Sequence, residues 1–231
     1  MSGLPLYAVY SIMFLLASFC YILLGVYVWT LNPKQSLNRL FFACCLSLSI
    51  WAYAFSIANG ATSYEISFFW HRVSVLGWGL LYSVLLHYFL VLTERGNLLK
   101  KPITYLLLYG PALVNVFIYG VYTPSAAVEF ELVQRSAGWA NQSANGFFDW
   151  FFYIYYISFS VASIILLWIW DFMRIDENKK RVAKLVSLSF AISVILGTIT
   201  DVIPRLFVQD VKPQLGVIFA IIPITTIFFA V

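Results

Sequence analysis

The chain has 231 residues, 62% hydrophobic and only 10% charged, with a mean hydropathy of +0.87. Soluble domains carry about 25% charged residues, so this composition excludes an ordinary soluble domain and describes an integral membrane protein. The net charge of +4 is no nucleic-acid signal, because in such a chain the placement of Lys and Arg carries the information.

Seven long intervals lack a formal charge, and each can hold one spanning helix of about twenty residues. They place helices at about 5–31, 39–59, 68–93, 102–122, 148–171, 182–203 and 214–231. Lipid offers no partners to unpaired backbone groups, so continuous apolar runs of this length are helices. The expected fold class is all-α: a single seven-transmembrane helix bundle over residues 1–231. The first run has no basic start and continues to Leu31, too long for a signal-peptide core, so it reads as a retained helix. Cys20, Cys44 and Cys45 all lie in apolar segments, which implies no disulfide framework.

Orientation follows from the basic residues. The connections after helices one, three and five hold Lys34, Arg39, Arg95, Lys100, Lys101, Arg174, Lys179, Lys180, Arg181 and Lys184, ten in all. The other side holds four: Arg72, Arg135, Arg205 and Lys212. The positive-inside rule puts the N-terminus outside and the C-terminus in the cytoplasm, across an inner or plasma membrane. Glu65, Glu129, Glu131, Asp149, Asp201 and Asp210 then make the outer face acidic.

Helix three opens Phe68-Phe69-Trp70-His71-Arg72. At about 100° per residue, His71, Trp78, Tyr82 and Phe89 share one stripe, with Arg72, Gly79 and Ser83 beside it. Arg72 is either an interfacial anchor or a partner for Asp201 or Glu65. His87, near the cytoplasmic end, reads as a packed interfacial residue, and Pro111 with Asn115 as a kink in helix four. The longest outer loop, Thr123 to Gly146, contains alternating Val128-Glu129-Phe130-Glu131-Leu132-Val133, which suits a short strand or hairpin over the bundle mouth as well as a plain loop. Asn141-Gln142-Ser143 is a glycosylation sequon by pattern. On helix five, Asp149, Tyr153, Tyr156, Ser160 and Ser163 share a face, either an aromatic belt or half of a ligand pocket; the polar stripe runs deeper than a belt needs. The inner connection DFMRIDENKKRVAK extends the helices beyond the membrane and meets lipid headgroups.

Helix six poses a conflict. Lys184 and Asp201 leave about sixteen uncharged residues between them, fewer than the roughly twenty that a bilayer core needs. Either Lys184 snorkels outward or Asp201 sits inside the edge of the hydrocarbon. Ser187, Gly197, Thr198 and Asp201 share a face, and Pro204 ends or bends the helix. The last run carries Pro223 and stops on Phe-Phe-Ala-Val, from which a cytoplasmic output module beyond Val231 is expected.

Several chemistries fail on residue grounds. No lysine follows Lys212, as a retinal protein would require. No Walker loop, Gly-x-Ser-x-Gly, HExxH or metal-spaced Cys/His cluster occurs, and no carboxylate pair suits acid–base work. No cofactor, metal or enzymatic activity is expected for this region.

The segment Asn38 to Trp51 (NRLFFACCLSLSIW), then Phe69-Trp70-His71-Arg72 leading to Gly77, then Thr200-Asp201-Val202-Ile203-Pro204 with Lys212-Pro213, resembles the N-terminal seven-transmembrane input region of bacterial sensor histidine kinases, also found fused to diguanylate cyclases. The resemblance spans nearly the whole chain. It implies a membrane sensor in the signal transduction of a two-component system, working as a homodimer, whose last helix leads into a cytoplasmic signalling module. It supplies no established binding residue. The residues themselves suggest that a small apolar or amphipathic ligand enters from the outer side, lined by Trp70, Arg72, Trp78, Tyr153, Tyr156 and Asp201. The competing readings are a seven-helix transporter or permease and a structural subunit of a membrane complex. The lipid bilayer is the remaining partner, and no nucleic acid is expected.

Overall fold

A computed structural model describes residues 4–122, 131–142, 146–173, 177–204 and 214–230. Six helical runs are long and apolar enough to cross a membrane, and Gly216–Phe229 forms a shorter seventh. The elements in order are α1 (Leu6–Leu31), α2 (Ser36–Asn59), α3 (Tyr64–Leu92), α4 (Pro102–Asn115), strands β1 (Glu131–Arg135) and β2 (Gly138–Gln142), α5 (Phe147–Met173), α6 (Glu177–Gly197), α7 (Gly216–Phe219) and α8 (Ile221–Ala230).

Helices α2, α3 and α6 start earlier than the charge pattern suggests. Ser63 accepts from the Ile66 N–H and caps α3, with Glu65 in the favourable first turn. Helix α2 starts at Ser36, which puts Arg39 at its fourth residue rather than its first.

Helix α2 packs along both α1 and α3, and α3 also meets α4 and α5. The sequence explains why α2 and α3 are the most enclosed spans: α2 carries Cys44, Cys45, Ser47, Ser49, Ala52, Ala54 and Ala58, small residues that let backbones approach in lipid. The closest approach is at Gly77, where a Cβ would collide with the Ser47 carbonyl oxygen and lie 2.7 Å from the Trp51 backbone nitrogen. Buried hydroxyls bond across helices, as in Ser18 with Ser49 and Ser67 with the Ala58 carbonyl. The Tyr21 hydroxyl donates to the Val217 carbonyl and ties α1 to α7.

Among the described residues two helices widen into π turns, which the sequence reading did not anticipate. Helix α4 continues as Val116–Tyr122, directly after Asn115, whose side-chain amide donates to the Pro111 carbonyl at 2.9 Å. Helix α6 continues as Thr198–Val202, where the Ile203 N–H reaches the Thr198 carbonyl. Pro204 cannot donate there, and the Thr198 and Thr200 hydroxyls occupy the Val194 and Leu196 carbonyls; both effects loosen the regular ladder.

The seventh run breaks earlier than at Pro223. Proline at 223 cannot donate to the carbonyl of Phe219, four residues back, and its ring crowds that carbonyl. Accordingly α7 ends at Phe219, Ala220 is a turn, and α8 starts at Ile221.

The strands form an antiparallel hairpin with Arg135 opposite Gly138 and Glu131 opposite Gln142. It is docked by Trp139, whose indole N–H donates to the Ala61 carbonyl at 2.8 Å, and by Leu132, buried against Val75 and Tyr119. Residues Val128, Glu129 and Phe130 of the alternating stretch lie outside the described residues, as do Ser143 of the sequon and Arg174, Arg205, Asp210 and Lys212 of the charge tally. Asn141 is buried in β2 and 3% exposed, which argues against its carrying a glycan.

Candidate functional site

Among the described residues, a large cavity lies between α2, α3, α5, α6 and the seventh run and reaches from the hairpin into the bundle. Its volume is about 90 Å³; one water needs roughly 10–15 Å³ by the same measure, so it admits several waters or one small molecule.

The lining is graded along the bundle. Near the hairpin lie His71, Ser74, Asn141, Asp149 and Gln214; at the far end lie Leu48, Leu85, Phe190 and Ile227. From His71 to Leu85 the cavity follows α3 for fourteen residues, about 21 Å at 1.5 Å per residue. Aromatic rings form the walls between. Trp78 meets Phe152 and Tyr119 edge-on at 4.9 and 5.4 Å, and Tyr82 meets Tyr156 at 4.8 Å.

Polar groups are held by named partners. The Tyr119 hydroxyl, brought round by the π turn of α4, donates to Asp149 Oδ1 at 2.9 Å, and the Gly146 N–H donates to Oδ2 at 3.1 Å. His71 Nδ1 lies 2.9 Å from the Ser67 carbonyl oxygen. The Tyr156 hydroxyl donates to the Val194 carbonyl at 3.0 Å and lies 2.8 Å from Thr198 Oγ1. The π turn of α6 faces Asp201 toward the seventh run, where both carboxylate oxygens accept from the Gly216 N–H at 3.1 Å; Thr200 Oγ1 adds a bond at 2.8 Å. A Cβ at Gly216 would overlap Asp201 Oδ2, so only glycine allows this approach.

Four of the six residues singled out from sequence come together on this wall: Trp78, Tyr153, Tyr156 and Asp201. The other two do not. Trp70 is half-buried against the rings of Tyr53 and Phe69. Arg72 donates through Nε to the Gly120 carbonyl at 2.8 Å and sits over the Phe68 ring, so it is engaged by α4's π turn and not by Asp201. Lys184 is exposed and Asp201 half-buried, and both fall inside the apolar span Lys180–Val202.

Sequence reasoning missed Trp51, Phe55, Asn141, Gln214 and Gly216, all of which line the cavity. Tyr82 shared a stripe with Trp78 and was within reach of that reasoning. Asn141 was not, because only the docked hairpin brings it to the bundle.

Residues 13–231 match the family model of the N-terminal 7TM region of histidine kinase. The chain belongs to this family. No curated protein and no solved structure matches. The histidine-kinase 7TM region is a membrane sensory domain, the input part of a kinase rather than its catalytic part, and it makes this chain a multi-pass membrane protein.

Proposed function

We infer that this sensory domain binds a small amphipathic ligand in the cavity and passes the event through the seventh run to a cytoplasmic kinase module, within a homodimer. The observation that carries this reading is the shared wall. The same space is bounded by Trp78, Tyr153 and Tyr156 and by Gly216, Ala220, Pro223 and Ile224 of the seventh run. Asp201 is hydrogen-bonded to that run's Gly216. An occupant that contacts Asp201 or Pro223 differently in two states shifts their balance by its difference in affinity. The break at Ala220 supplies an element able to take two arrangements.

A permease needs polar groups along a path through the bundle. The far end of this cavity is lined by the apolar Leu85, Phe190 and Ile227, which offer no polar path onward and favour a sensory pocket entered from the hairpin side, the side that the basic residues assign to the exterior.

The test is autophosphorylation of the full-length protein in nanodiscs. Ser193→Phe places a ring in the cavity, whereas Leu188→Phe changes an exposed, lipid-side position. The reading expects the first to alter the rate at equal protein level and the second to leave it unchanged. Equal rates for both and for the parent would dismiss the cavity as the sensory site.

A further inference from the structure

Three polar atoms on cavity-lining residues have no hydrogen-bond partner among the described residues: Trp51 Nε1, Asn141 Oδ1 and Tyr153 Oη. Their side chains are 6%, 3% and 3% exposed. Buried polar groups in native proteins are nearly always paired, and a bilayer core has nothing to offer them. Three such atoms on residues that line one space single out the side chains whose bonding an occupant of that space can complete.

Their chemistry is specific. An indole N–H only donates, an amide oxygen only accepts, and a phenol does both. All three are neutral. The charged groups of the same wall are already engaged, Asp149 by Tyr119 and Gly146, Asp201 by Gly216 and Thr200. An anionic head would face the negative charges of Asp149 and Asp201, and a cationic head would have to shed its water to compete for carboxylate oxygens that already accept from Tyr119, Gly146, Thr200 and Gly216, so an uncharged head is favoured. Beyond the polar groups, Leu81, Leu85, Phe190, Ile224 and Ile227 offer an apolar slot. From Trp78 to Leu85 it runs about 10 Å along α3.

We propose that the cavity selects an uncharged, oxygen-bearing amphiphile. Its hydroxyl or carbonyl head bonds to Trp51 and Tyr153, with Asn141 accepting from a hydroxyl where one is present, and its alkyl tail points toward Ile227. This rests on reading the cavity as the sensor's ligand site. Trp51 and Asn141 thereby become specificity residues, and the head group is defined by class.

The experiment is photolabelling of the full-length protein in nanodiscs with three matched probes: a diazirine-bearing octanol, its octanoate and its octylammonium counterparts. Labelled peptides are mapped by mass spectrometry, with competition by plain octanol. The octanol probe is expected to label α3 and α6 lining peptides saturably and more tightly than either ion. Tyr153→Phe removes only an unpaired hydroxyl and leaves thermal stability unchanged or raised, whereas Trp51→Phe also gives up packing against Phe55 and lowers it; each weakens half-saturation about two- to twelvefold, the range of one neutral hydrogen bond. Stronger saturable labelling by an ionic probe, or unaltered labelling in both variants, overturns the neutral-head assignment and leaves the cavity as a ligand site. Absence of saturable labelling by all three removes the cavity reading and this inference with it.

Discussion

The bond between Asp201 and Gly216 can be tested without any ligand. Two independent substitutions destroy it. Asp201→Ala removes the acceptor. Gly216→Ala leaves Asp201 in place, but its Cβ overlaps Oδ2 and lies 3.2 Å from Cγ, so the carboxylate must swing away from the Gly216 N–H. A hydrogen bond to a charged group contributes about 1.5–3 kcal/mol. Each single variant loses that amount together with its own side effects. The double variant loses it only once, so it should be less destabilised than the sum by about 1.5–3 kcal/mol. Relief of the Cβ overlap, and of the Thr200 bond that a displaced carboxylate gives up, adds to the coupling, so this figure is its lower bound. Reversible unfolding in mixed micelles reads the four stabilities. Additivity within about 0.5 kcal/mol would refute the claim that this bond joins α6 to the seventh run.

Two further outcomes follow from the same geometry. Tyr155→Phe should lower stability by about 1–3 kcal/mol, because its hydroxyl serves the Ser83 N–H, the Ser83 hydroxyl and the Gly79 carbonyl at 2.9–3.2 Å; equilibrium unfolding of the variant checks this, and an unchanged stability would count against that network. Alkaline phosphatase fused after Ser136 in the hairpin turn should be active and fused after Gly96 inactive, given the excess of basic residues beside Gly96; the reverse pattern would invert the assigned orientation.

The helices were legible because charge is too costly to scatter through lipid, so the intervals between charges mark the spans. The cavity's α5 wall was legible for a related reason. A polar stripe of Asp149, Tyr153, Tyr156, Ser160 and Ser163 has no reason to face acyl chains, and all five are buried. Arg72 misled because a long cation near an outer mouth has two equally good uses, and its choice of the Gly120 carbonyl depends on a π turn that no periodicity announces. The π turn at Thr198–Val202 was hidden for the same reason, although Thr198, Thr200 and Pro204 are its visible causes. Asn141 reached the wall through a hairpin whose docking on Ala61 is a long-range event. Trp51 was quoted only for family likeness, since a tryptophan in a small-residue helix carries no sign of an unpaired N–H.

The central claim is that filling the cavity moves the seventh run. Spin labels at Phe229 of α8 and Leu185 of α6, both exposed and both on the end remote from the hairpin, report the distance between these two packed elements by double electron–electron resonance. The account predicts that Ser193→Phe shifts the distance distribution by about 1–2 Å or more, the scale of helix displacements in switching proteins. An unchanged distribution in a folded Ser193→Phe variant would contradict it.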